Sequence, residues 1–339
     1  MSNQPPIEVP QGAIRLNTDS QKLEFFAQDR WYEMATNVPN LGDATNSTDT
    51  PGGARGLIGG GSDGRTDATD YITVSTAGNG QDFGNLTQSR DQLGAGASRT
   101  RGIFAGGYTP SHSNRIDRFE IATLGDATDF GNLTQSRKDL DCCSNQTRIV
   151  HVGGRVTPGN KNTIDFNTIA SDGDALDYGD LSAVRSNHAC YGNAIRGMIH
   201  TGFGNKQNIE FINIPTTGTS FTFGEPVSER ITQGAGCSSS TRGMAMGGGT
   251  SDTIIDYTTI ATTGDATRFG DLYNGTGDGA GLSNSVRGVL AGGRNPSPET
   301  NIIQYINIST EGNSVDFGDL SYTGSTRSAA GLCNAHGGL

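Results

Sequence analysis

The chain is poor in charge, has one tryptophan, no long apolar run and no paired-cysteine motif, and each shortage narrows what it can be. Only 17% of its 339 residues are charged. No apolar stretch approaches the ~18 residues of a membrane-spanning helix, so membrane insertion is not expected. Basic residues are outnumbered, 24 Lys and Arg against 35 Asp and Glu, leaving a net charge of −11. Nucleic-acid binding by counterion release needs a basic surface, so no nucleic-acid partner is expected. The five cysteines are odd in number, lack a CxxC pair, and include adjacent Cys142 and Cys143, which suit a disulfide framework poorly. The opening MSNQPPIEVPQG has neither a basic nor an apolar signal region. Synthesis in a cytoplasm with reduced thiols is the expectation.

What the sequence has in abundance is glycine, 51 residues, together with Thr, Ser and Asn. That composition favours short strands and tight turns over helices. An Arg-apolar start recurs at Arg55, Arg101, Arg148, Arg196, Arg242 and Arg287, at spacings of 45 to 48 residues. An aromatic-Gly pair keeps step with it: Phe83-Gly84, Phe130-Gly131, Tyr178-Gly179, Phe223-Gly224, Phe269-Gly270 and Phe317-Gly318. Six units therefore fill residues 55–320.

Each unit reads as four strands. RGIFAGG (101–107) is a small apolar strand ending in a Gly pair, and RIDRFEIAT (115–123) alternates with period two. GDATDFGNL (125–133) gives a turn and a third strand, and DLDCCSNQT (139–147) a fourth, of small residues, before the next unit. Four strands in a period of ~40–50 residues is the pattern of a β-propeller blade. The fold class expected is all-β, a six-bladed β-propeller. The chain continues past Leu320 into a small-residue stretch resembling the one that leads into Arg287. Residues 326–336 are thus expected to complete the first blade and close the ring, since an open ring leaves two raw sheet edges.

Residues 1–45 stand outside the repeat, and 46–54 read as a linker. AIRLNTDSQKLEFF predicts a hairpin and WYEMA a third strand, too little to bury much surface alone. The double Gly at 106–107, 153–154, 247–248 and 292–293 resembles the Kelch blade, although the fourth unit carries TGFGN (201–205) there and the Kelch Trp is absent from the repeats. GAIRLNTDSQKLEFFAQDRWYEM resembles the small module near the start of bacteriophage tail-fibre and other virion proteins. The Gly-Asn-Thr-rich blades are similar to virion structural proteins of phages that infect marine cyanobacteria. The resemblance implies a non-enzymatic virion protein of the tail fibre or baseplate, attached to other virion proteins by the N-terminal module. It also implies trimers as a common assembly. Capsid decoration or a head fibre is the alternative location. A Kelch-like propeller enzyme and a bacterial protein-binding scaffold are the alternative functions.

No residue pattern demands chemistry. DFGNLTQSR occurs at 82–90 and again at 129–137, and its Asp-Phe-Gly spells the metal-holding triplet of protein kinases. The phosphate loop, strand Lys and catalytic-loop Asp that a kinase requires are missing. The triplet predicts a turn, with Asp capping local donors and the aromatic packed between blades. Asp172, Asp174, Asp177 and Asp180 lack EF-hand spacing, and the five histidines lack H-x-x-x-H spacing. Cys143, Cys237 and Cys333 are assigned to one small, buried repeat position. Arg90, Arg137, Arg185 and Arg230 recur after the aromatic-Gly strand and predict a blade-to-blade ion pair with Asp, with an axial anion site as the alternative. Catalytic residues, metals and cofactors are expected to be none. Contact with a host-surface glycan or protein is assigned to the variable loops 62–69, 108–114, 155–162 and 294–300, with Arg65, Tyr108, His112, Asn160, Lys161, Arg294 and Asn295 as candidates.

Overall fold

The computed structural model describes residues 13–17, 22–27, 30–33, 54–62, 65–205, 207–229, 234–248, 253–294, 300–321 and 327–339. The chain divides into two compact units, Met1–Asp49 and Thr50–Leu339. Among the described residues there is no helix.

The first unit holds a three-stranded antiparallel meander, Ile14–Asn17, Lys22–Ala27 and Arg30–Glu33. Trp31 is its anchor: it meets Phe26 edge-on at 5.3 Å, and the Arg15 guanidinium lies 4.1 Å from its ring centroid. This is the hairpin and third strand that the alternation predicts.

The second unit is a six-bladed β-propeller. Its blades are four-stranded antiparallel sheets, and the third carries an extra short strand. The second blade shows the plan. Gly94–Ala97 is innermost, followed outward by Arg101–Ala105, Arg115–Glu120 and Thr128–Asn132. Both faces of a blade are covered by neighbours, so alternating residues go to different cores. Ile116 joins the core shared with the third blade, and Phe119 and Ile121 join the core shared with the first. Six such apolar clusters separate the six blades. Inner strands are built mostly from Gly, Ala, Ser and Cys because they converge on the axis, each packed against the next.

Closure is made by the C-terminus. Ala330–Cys333 pairs with Arg55–Gly59 as the inner strand of the first blade. Its register corrects one assignment. Cys143 and Cys237 share a position, opposite Val150 and Met244, and Leu332 occupies it in the first blade, opposite Leu57. Cys333 instead matches Ser283, one residue further along, each opposite the Gly that follows the unit Arg. Spacing from the next Arg cannot reveal this, because the next strand lies at the other end of the chain.

The third blade departs from the others. Its two outer strands lengthen to Gly159–Thr168 and Leu176–Arg185, and Arg155–Val156 folds back onto Gly159 and Asn160. The stretch 155–162, expected to be a loop, is thus largely a β-hairpin.

Candidate binding face

Chain direction sorts the connections onto two faces. Inner-to-second and third-to-outer turns lie on one face, and second-to-third loops and blade-to-blade links on the other. The four variable loops therefore all emerge on one side, the loop face. Three of their candidates converge there. The Arg65 guanidinium lies 4.8 Å and the Lys138 ammonium 4.6 Å from the Tyr108 ring centroid, and His112 meets that ring edge-on at 5.8 Å. Thr157 Oγ1 is 3.4 Å from His112 Nε2. Burial, then Lys138 and Arg155, push the His112 pKa down. Asp91, 3.7 Å from Arg65, is raised by burial against the pull of both cations.

The other candidates go elsewhere. Asn160 bridges two blades, donating from Nδ2 to Phe203 O at 2.8 Å and accepting from Ser186 Oγ at 3.1 Å. Lys161 pairs along the lengthened hairpin with Arg185. Arg294 opens the corresponding loop of the sixth blade, bridged to Gly277. Asn295 lies outside the described residues.

The axis offers less than a propeller often does. At its loop-face mouth Gln92, Asp139, Asn187, Asp278 and Ser328 all have positive φ, 52° to 60°. Their backbones form a collar: Gln92 N donates to Ser328 O, Asp139 N to Gln92 O, Asn187 N to Asp139 O and Ser328 N to Asp278 O, at 2.7–3.0 Å. Behind it the inner strands line a cavity of about 70 Å³, room for a few waters. The far end is crossed by the C-terminal tail. His336 Nε2 is 2.9 Å from Ala97 O and 3.1 Å from Ser144 Oγ, and Gly337 N donates to Ser238 O at 3.1 Å.

Buried titratable groups line this axis or stand close behind it. Asp141 accepts from the amides of Cys190 and Cys142 at 2.7 and 2.8 Å, yet burial lifts its pKa to about 7. Cys142 Sγ is 3.2 Å from His151 Nδ1, and His151 Nε2 is 2.8 Å from Asn167 Oδ1. The order resembles a nucleophile-base-orienter chain, but its protonation does not. Burial drives the His151 pKa to about 4 and the Cys142 thiol well up, so both are neutral at pH 7 and the thiolate is not formed. Among the described residues no group of three or more His, Cys, Asp or Glu is placed to hold a metal ion.

The recurring letters turn out to hold blades together. Phe83 packs edge-on against Phe119 of the next blade at 5.4 Å. The Asp of the triplet is not the cap. That part is played by the Asp of the next blade's turn, with Asp126 Oδ1 accepting from Asn85 N and Asp174 Oδ1 from Asn132 N, both at 2.9 Å. Asp172 reaches Arg118 and Arg101 at 3.0 and 3.5 Å, so the acidic run serves the same seam. Arg90, Arg137 and Arg185 are fully buried in pairs with Asp117, Asp165 and Glu210, the first two at 2.9 and 2.8 Å. Arg137 also donates to the carbonyls of Gly153, Thr163 and His151. Arg230 lies outside the described residues. The unit-starting arginines are straps too: Arg101 Nη1 donates to Ile169 O and Ala170 O, and Arg287 Nη1 to Val74 O across the closure.

Sequence reasoning missed one place on the loop face. A depression of about 470 Å³ in the fourth blade is lined by Phe203, Gly204, Asn205, Gln207, Asn208 and Glu229. The signal was present as the irregular TGFGN at 201–205, which breaks the Gly-pair pattern. The chain matches no protein-family model and no curated protein with which it was compared.

Proposed function

We propose that this chain is a non-enzymatic structural protein of a bacteriophage particle, of the tail fibre or baseplate, whose propeller meets the host surface with its loop face. The N-terminal meander is its attachment to other virion proteins. One observation carries the reading: polar side chains elsewhere in the propeller are largely spent on blade-to-blade bonding, whereas the loop face presents unlike side chains blade by blade. Tyr108 among three cationic or imidazole groups and Phe203 above its depression occupy equivalent places in their blades, each bridged to its own link. Loops that differ blade by blade in length and side chains on a repeated scaffold suit partner recognition. The neutral Cys142–His151 pair and the narrow axis give no support to the alternative of a Kelch-like enzyme.

Mass spectrometry of purified virions tests the particle assignment. The protein is expected there in stoichiometric amount, and its absence would overturn the assignment in favour of a bacterial scaffold. Antibody labelling of intact particles, read by electron microscopy, separates tail from capsid and so tests the alternative of a head fibre or decoration protein.

A further inference from the structure

Tyr108 and Phe203 occupy the same repeat position. Each sits just after the dipeptide that follows its blade's second strand, at the head of the second-to-third loop. Each exchanges two backbone hydrogen bonds with the preceding link, Tyr108 with Asp91 and Phe203 with Ser186. Their rings meet different fates. Tyr108 is covered by Arg65, Lys138 and His112. Phe203 is 48% exposed and has no ring or cation partner among the described residues. An aromatic face left in water forgoes burial that its neighbour at the same position achieves.

The exposure is held in place. Phe203 N and O pair with Ser186 at 2.8 and 3.0 Å, and Phe203 O also accepts from Asn160 Nδ2. Gly204 follows at φ 109°, and a Cβ there would stand 2.6 Å from Val184 O. The polar rim is ordered as well. Gln207 Nε2 donates to Glu229 Oε1 at 3.2 Å, and Asn205 Nδ2 to Glu210 Oε1 at 3.4 Å. Those bonds use the amide nitrogens, and each amide keeps an oxygen acceptor that they leave unused. The volume, about 470 Å³, lies in the range of small-ligand sites.

A fixed aromatic plate, side-chain amides and, among the described residues, one carboxylate match a pyranose ring. Its axial C–H face is apolar and packs on a π-face, while its equatorial hydroxyls donate to amide oxygens and to Glu229. Among the described lining residues Glu229 is the one charged side chain, and its carboxylate disfavours acidic sugars. We infer that the depression around Phe203 is a binding site for a neutral pyranose sugar of a surface glycan, with Phe203 as stacking plate and Asn205, Gln207, Asn208 and Glu229 as hydroxyl partners. The inference rests on the loop face being the recognition face, and it names the ligand class that face takes.

The test is saturation-transfer NMR on the purified full chain with methyl glycosides of neutral hexoses and N-acetylhexosamines, beside glucuronate and sialate. The expected result is transfer to the ring C–H protons of at least one neutral sugar, abolished by Phe203→Ala and kept by Tyr108→Ala, with Gln207→Ala weakening binding about tenfold. Thermal melts of each variant check folding, and Phe203→Tyr, which keeps the plate, restores transfer. Absence of transfer from every neutral sugar, preference for the acidic sugars, or transfer indifferent to Phe203→Ala would overturn the inference. Sugar binding by a protein that is missing from virions would sink the particle assignment and leave this site standing.

Discussion

The amide of Gly78 in the first blade donates to the carbonyl of Phe317 in the last, at 2.9 Å. The same bond joins Gly125 to Phe83, Gly173 to Phe130, Gly218 to Tyr178, Gly264 to Phe223 and Gly312 to Phe269, at 2.8–3.1 Å. The interface that joins the two ends of the ring is therefore built like the five that join neighbours in sequence. Closure is a sixth copy of one seam, and the strand Ala330–Cys333 supplies the edge that lets it form.

Removing residues 330–339 strips the first blade of its inner strand and uncovers Ile58, Val289 and Leu282, all buried beside Cys333. Loss of the cooperative thermal transition, with aggregation on size exclusion, is the expected outcome. A milder change, His336→Ala, removes the two tail contacts to Ala97 and Ser144 and is expected to lower stability by about 1–2 kcal/mol. Denaturant titration reads both.

The buried pair Arg137–Asp165 is expected to be intolerant of single changes. Arg137→Ala leaves Asp165 buried without its counter-charge, at about 3–5 kcal/mol. The seam between the fifth and sixth blades shows how the position can be uncharged. Thr276 stands in the Arg place, and Gln304 in the Asp place is bonded to Asn274 through both its amide oxygen and nitrogen. The double variant Arg137→Thr with Asp165→Gln should lose less than half the sum of the two single losses. A double-mutant cycle without coupling would contradict this.

Gly131 has φ 148°, and a Cβ there would stand 2.3 Å from Gly173 O across the seam. Because the obstacle is backbone, it cannot rotate away. Gly131→Ala is expected to destabilise by about 3 kcal/mol or more, within the range for overpacking combined with backbone strain. Gly159→Ala, with nothing within 4 Å, should stay within about 0.5 kcal/mol. Chemical denaturation of the pair isolates the seam from glycine effects in general.

His188 is fully buried, neither ring nitrogen has a hydrogen-bond partner among the described residues, and the nearby Val152 backbone falls short of bonding geometry. Burial, then Arg185 and Arg137, push its pKa to about 3. Leu93 and Leu140 fill the same place in the two preceding blades. His188→Leu is expected to stabilise at pH 7 by about 1–3 kcal/mol, the range for an unsatisfied buried polar group. The unfolded chain takes up the His188 proton below about pH 6.5 and the folded chain does not, so this residue costs stability as pH falls from about 6.5 toward 3. The advantage of the Leu variant should therefore widen by about 1.4 kcal/mol per pH unit through that window. Asp139 and Asp141 act in the opposite sense. Burial raises them to about 6 and about 7, so the stability they contribute when protonated is lost as pH rises from about 3.8 through those values. Urea titrations at pH 7 and pH 5 on both proteins give the comparison, and an unchanged difference would refute the His188 argument.

Much of the scaffold is legible in one dimension. Arg55 through Arg287 and Phe83-Gly84 through Phe317-Gly318 mark six units, because a blade is a local object whose strands alternate and turn within about 47 residues. Leu332-Cys333-Asn334 announced closure, since six blades need six small inner strands, residues 55–320 hold five, and the chain supplies the sixth after them. The candidate site is less legible. Arg65, Tyr108 and His112 could be named from loop divergence, but Lys138, which covers Tyr108, comes from the next link, and Phe203 was visible only as an irregularity in the Gly-pair pattern.

By itself the sequence determined an all-β ring of six four-stranded units, because periodicity, glycine placement and strand alternation act over neighbouring residues. Only the tertiary structure decided what lies between units. It placed Cys333 opposite Gly56, sent the tail across the axis onto Ala97 and Ser238, gave Asp126 and Asp174 the capping bonds, and left Phe203 bare where Tyr108 is covered. Those contacts join residues a whole period or a whole ring apart, and their distances are set by how the blades lean together around the axis.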